Sequence, residues 1–120
     1  MSSAQEIRTA KAFYAVSEKL GTARLREGLR AAAGENPWDR RYAGTLVDDL
    51  TAAQRAVVAA ALRGGDDPSR ALAALEKAHP APFRAFRDLA AELAVGNCPM
   101  AAFAMGVRQL QAVARAVTPP

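Results

Sequence analysis

Apolar residues recur along this chain at three- and four-residue intervals. Glycine stops and Asn-Pro, Asp-Pro or threonine starts interrupt them, a pattern that predicts helices joined by short turns. The first helix runs from about Ala4 to Leu20, with Ile7, Ala10, Phe13, Tyr14 and Leu20 on one broad face and Gly21 as a left-handed stop. Thr22 is expected to cap a second, short helix that carries Leu25 and Leu29 one turn apart and ends at Gly34. Asn36-Pro37 opens a third, because the Asn side chain accepts from free N–H groups and Pro at the first helical position needs no partner. Its pattern continues to Leu62, about 39 Å if unbroken. Against an expected radius of gyration of about 13 to 14 Å, that length predicts a bend at Gly44, with Gly64-Gly65 as the stop.

Asp67-Pro68 opens a fourth helix to about Lys77, and His79-Pro80-Ala81-Pro82 is expected to break the chain before a fifth. In that fifth helix Phe83, Phe86, Leu89 and Leu93 share a face. Gly96-Asn97-Cys98-Pro99 separates it from the last, where Met100, Phe103, Val107, Leu110, Ala114 and Val117 form an inward stripe. No segment alternates with period two for long enough to suggest a sheet, and no internal repeat is apparent. The expected fold is all-α: a single domain over residues 1–120, a helical bundle of about five to six helices, antiparallel where the loops are short.

Composition strengthens this reading. About a quarter of the 120 residues are alanine, the best helix former, and the length suffices for a core without disulfides or metals. A net charge of +4 raises the question of an anionic partner. The basic residues are interleaved with acids, as in Glu6, Lys11, Glu18, Lys19 and Arg24, Arg26, Glu27, Arg30, so ordinary solvated helix faces are the better account. The lone Cys98 cannot form an internal disulfide, and a reducing cytoplasm is the expected location. Met1-Ser-Ser-Ala-Gln-Glu has no signal-peptide pattern, and the apolar run around Ala56 to Leu62 is far short of the ~20 residues that cross a bilayer.

The sequence offers little catalytic chemistry. It contains no phosphate loop, dinucleotide fingerprint, H-E-x-x-H or nucleophile elbow, and neither a cofactor nor a metal is expected. His79 reads as a helix-end residue facing the last carbonyls. Cys98, close to a helix start, reads as a half-buried cysteine with no second ligand beside it. Asp48 and Asp49 lack the partner base or metal ligands that acid–base work needs. Arg41, Asp48 and Arg55 recur at seven-residue spacing on one face of the third helix, either a solvated stripe or a docking surface. Trp38, in the first turn of that helix, anchors its end or joins an interface. The candidate docking residues are therefore Trp38, Arg41, Asp48, Asp49 and Arg55. Met100, Phe103 and Met105 would line any small-ligand pocket, with core filling as the default.

Three stretches carry a family likeness. Phe13-Tyr14-Ala15-Val16-Ser17-Glu18-Lys19-Leu20-Gly21 followed by Leu25-Arg26, then Trp38 with Leu46, Asp48-Asp49-Leu50 and Arg55, then Met100 through Val107-Arg108-Gln109-Leu110, occur in order over most of the chain. Together they resemble the C-terminal helical domain of the large bacterial NAD-specific glutamate dehydrogenases. Ser17 departs from that family, which often has Gly there. The resemblance implies an accessory role beside a catalytic region that holds the nicotinamide and glutamate sites, and no catalytic residue carries over. The expected partner is protein, either that catalytic region or another copy of the chain, with no membrane. A small basic helical nucleic-acid-binding or regulatory protein is the alternative, separable by a salt-dependent gel shift.

Overall fold

The helix ends are set by residues that satisfy terminal backbone groups. The computed structural model describes residues 3–63, 67–94 and 100–118. In it, α1 (Ala4–Leu20), α2 (Thr22–Ala33), α3 (Pro37–Arg63), α4 (Pro68–Ala78), α5 (Pro80–Ala94) and α6 (Met100–Val117) make an all-α bundle, with no strand among the described residues. The predicted Gly64-Gly65 stop and the Gly96-Asn97-Cys98-Pro99 turn lie outside the described residues.

Ser3 caps α1 through a reciprocal pair: its hydroxyl accepts from the Glu6 N–H at 3.1 Å, while the Glu6 carboxylate accepts from the Ser3 N–H. Gly21 ends α1 at φ 71°, and its N–H donates to Glu18 and Ser17 carbonyls. Thr22 does not cap α2 as expected. Gly21 is already the residue before that helix, so the Thr22 hydroxyl turns back and donates to the Ser17 carbonyl at 3.1 Å, satisfying a last-turn acceptor of α1. Asn36 caps α3 as predicted, its Oδ1 accepting from the N–H groups of Trp38 at 2.9 Å and Asp39 at 3.4 Å. Asp67 does the same for α4, accepting from Ser69 and Arg70.

Two boundaries differ from expectation. Pro80-Ala81-Pro82 does not precede α5 but forms its first turn. First-turn N–H groups have no intrahelical partner, so proline loses nothing there and its fixed φ favours the helix. The helix runs without interruption through Gly44, where a bend was expected: α3 is one 27-residue helix, about 40 Å long. The molecule measures 43 × 37 × 30 Å, so its long axis holds α3 entire.

α3 is the spine. Ala43, Leu46, Leu50, Ala53, Val57, Val58 and Ala61 line its buried face, and its most extensive packing is on α6, whose Phe103, Val107, Leu110 and Ala114 are buried as the stripe predicted, while Met100 and Val117 at its ends are half-buried and Val113, outside the stripe, is buried too. Leu25 and Leu29 of α2 and Phe83, Phe86 and Leu89 of α5 complete the core. Each such side chain contributes about 1.5 to 3 kcal/mol by leaving water. α5 approaches its neighbours closely through small residues: a Cβ on Gly106 would lie 2.5 Å from Leu89 Cδ1, and one on Gly28 would lie 2.9 Å from Leu93 Cγ. Leu89 and Leu93, one turn apart, thus fill notches on α6 and α2.

The predicted inner face of α1 is only partly correct. Val16, Ser17 and Leu20 are buried and Phe13 is half-buried, whereas Ala10 is exposed, as are Ile7 (47%) and Tyr14 (71%). Only the last turns of α1 lie over the core.

A buried polar network joins the first three helices, and nothing in the hydrophobic pattern announces it. Arg26 of α2 donates to Gln54 Oε1 at 2.6 Å and to Thr51 Oγ1 at 3.1 Å, both on α3. Gln54 is 1% exposed, and its Nε2 donates to the hydroxyl of Ser17 on α1. Arginine only donates, so Gln54 must give Arg26 its oxygen and Ser17 its amide hydrogen. That fixes the amide orientation and the rotation of α1 and α2 against α3.

Candidate docking surface

The exposed side of α3 lies opposite its core face. At 100° per residue, Arg41, Gly44, Thr45, Asp48, Ala52 and Arg55 fall within one sector, and all six are exposed. Four of the candidate docking residues therefore belong together: Trp38, Arg41, Asp48 and Arg55. Trp38 is 76% exposed, with the Arg41 guanidinium 5.5 Å from its ring centroid, a cation–π arrangement. Tyr42, one turn on from Trp38, is 43% exposed and widens the aromatic patch.

Asp49 separates from this group. It is half-buried and turned toward α6, where it lines a cleft with Ala52, Ala53, Gln111, Ala114, Arg115 and Thr118. Asp48 stays on the outer face, at the rim of a cleft of about 410 Å³ with Arg30, Gly34, Arg40, Gly44 and Val47 among its walls. Consecutive helix residues point 100° apart, so an Asp-Asp pair in sequence is not a pair in space. Among the described residues the ion pair formed is Glu76 with Arg87, across α4 and α5, which leaves Arg41, Asp48 and Arg55 without an ionic partner there.

The other predicted chemistry disperses. His79 is the C-cap of α4, its N–H donating to the Leu75 carbonyl at 2.8 Å. Phe103 is 1% exposed and Met105 62%, so these two do not share a pocket, and Phe103 is core as the default reading had it. Cys98 lies outside the described residues. No group of three or more His, Cys, Asp or Glu that could hold a metal occurs among the described residues, and no described helix is long and apolar enough to cross a membrane.

Sequence reasoning missed Tyr42 and Gly44 as parts of this face. The signal was available, since both stand within one turn of Arg41.

Comparison with known proteins settles the relationship. The family model described as "Glutamate dehydrogenase, C-terminal" matches residues 2–112. The chain belongs to the glutamate dehydrogenase C-terminal family. No curated protein and no solved structure matches it. The family match covers α1 to α5 entire and most of α6, so it includes the α3 surface, the Ser17–Gln54–Arg26 network and the glycine notches under α5.

Proposed function

We propose that this chain is a non-catalytic accessory module of an NAD-dependent glutamate dehydrogenase, a helical unit that packs between domains or subunits of that enzyme in the cytoplasm. The observation that carries the packing role is the outer face of α3. A tryptophan 76% exposed, backed by Arg41 and beside Tyr42, is the kind of aromatic and arginine cluster that anchors protein interfaces. Membership of a family defined on the C-terminal part of glutamate dehydrogenases favours, as the partner, the catalytic region of such an enzyme or another copy of this chain.

The test is co-elution of the purified chain with the catalytic region of a large NAD-dependent glutamate dehydrogenase. Binding is expected, and Trp38→Ala should weaken it about tenfold or more, the effect of losing an interface anchor. Failure of the wild-type chain to co-elute refutes the packing role. Glutamate-dependent NAD reduction by the isolated chain refutes the non-catalytic one.

A further inference from the structure

The charges on the outer face of α3 have a self-complementary order. Arg41 and Asp48 stand two turns apart, about 10 Å along the axis, with Gly44 and Thr45 midway between them. A two-fold axis through that midpoint sets a second α3 antiparallel to the first. Arg41 then faces Asp48 of the second copy, and Asp48 faces its Arg41. The same register lays Trp38 level with Thr51-Ala52 of the second copy, and Ala52 is exposed.

Other arrangements fit less well. A parallel pair sets Arg41 on Arg41 and Asp48 on Asp48. An antiparallel pair centred on Asp48 sets that carboxylate on itself and Arg41 on Arg55. One centred between Thr51 and Ala52 matches Asp48 with Arg55 but sets Arg41 against the apolar Leu62 and crosses at Thr51, a half-buried residue whose hydroxyl is already bonded to Arg26 and the Val47 carbonyl. The backbone supports the Gly44 crossing. A Cβ built on Gly44 meets nothing within 4 Å, so this glycine serves no close approach inside the protomer. At a helix crossing its missing side chain lets a second backbone come close.

We infer that α3 forms an antiparallel, two-fold contact with α3 of a second copy of this chain, crossing at Gly44-Thr45 and held by reciprocal Arg41–Asp48 pairs with Trp38 covered at each end. This rests on the packing role proposed above and names its partner as a second copy.

Sedimentation velocity on the isolated chain tests it. A dimer is expected at low ionic strength, weakened at about 1 M salt, where the screening length is only about 3 Å. Arg41→Asp and Asp48→Arg should each weaken dimerisation about tenfold or more, because each converts two attractive contacts into repulsive ones. The double variant R41D/D48R should restore the dimer. Gly44→Leu should abolish it without lowering the melting temperature measured at high salt, where any dimer is dispersed, since its Cβ meets nothing within 4 Å in the protomer, position 44 is exposed, and leucine improves helix propensity. A wild-type chain that stays monomeric to near-millimolar concentration overturns the inference, and so does a double variant no better than its parents. Co-elution with the catalytic region is scored separately: a monomer that still co-elutes sinks only the self-contact, whereas a dimer that does not co-elute sinks only the docking on the enzyme.

Discussion

Gly44 and Gly106 both lie inside long helices, and replacing each with alanine should move stability in opposite directions. Glycine in a helix interior costs about 1 kcal/mol relative to alanine, so both substitutions gain that amount from the backbone. At position 44 the new methyl meets nothing within 4 Å, and the gain stands. At position 106 the same methyl lies 2.5 Å from Leu89 Cδ1, well inside the roughly 3.5 to 4.0 Å of a favourable carbon contact. Leu89 is 8% exposed and cannot swing into solvent. Overpacking of this kind costs about 1 to 3 kcal/mol, leaving Gly106→Ala between neutral and about 2 kcal/mol destabilised. Urea denaturation at low protein concentration and high salt, where any dimer is dispersed, should therefore separate the two variants by about 1 to 3 kcal/mol. A gain of 1 kcal/mol at Gly44 corresponds to a melting temperature higher by about 4 °C. A double-mutant cycle sharpens the point: in a Leu89→Ala background the methyl at 106 enters vacated space, and Gly106→Ala should turn stabilising. If Gly106→Ala is as stable as Gly44→Ala, or its effect is unchanged in the Leu89→Ala background, the close approach of α5 to α6 is not what holds that glycine in place.

Three further outcomes follow from the structure. Gln54→Leu should cost about 2 to 3 kcal/mol in urea denaturation, because it removes a charge-assisted bond from Arg26 and strips Ser17 of its donor. The triple replacement S17A/R26M/Q54L, which removes the three linked side chains and leaves Thr51 its bond to the Val47 carbonyl, should recover most of that loss. Asn36→Ala should lower stability by about 1 kcal/mol, since Asn36 alone accepts from the Trp38 and Asp39 N–H groups through a side chain. Glu76→Gln should change the unfolding free energy by less than about 1 kcal/mol despite breaking the ion pair with Arg87, because both side chains are well exposed, at 38% and 59%.

Helix identity and the core were legible in the residues because both are local or periodic properties. Asn36-Pro37 and Asp67-Pro68 start helices by bonds that span two or three residues, and the Phe83–Leu89 and Phe103–Leu110 stripes bury simply by having one apolar side. The candidate docking face was legible in part, since Arg41, Asp48 and Arg55 share a sector by their spacing alone. Asp49 had to be placed by α6, because a residue on the flank of a helix is defined by what lies beside it.

Tertiary structure alone decided the rest. Ile7 and Tyr14 have the periodicity of core residues, yet none of the described helices covers them. Thr22 could equally have capped forward or bonded back, and the left-handed Gly21 beside it settled which. The pairing of Gln54 with Ser17 and Arg26 brings together residues 37 and 28 positions apart, a distance over which no local preference acts. Sequence by itself thus determined which segments are helical and which of their faces are apolar, for short-range hydrogen bonds and side-chain period are written within one or two turns. Which apolar faces find a neighbour, and which polar groups meet in the interior, depended on the packing of α1, α2 and α6 around α3, a property of the assembled bundle.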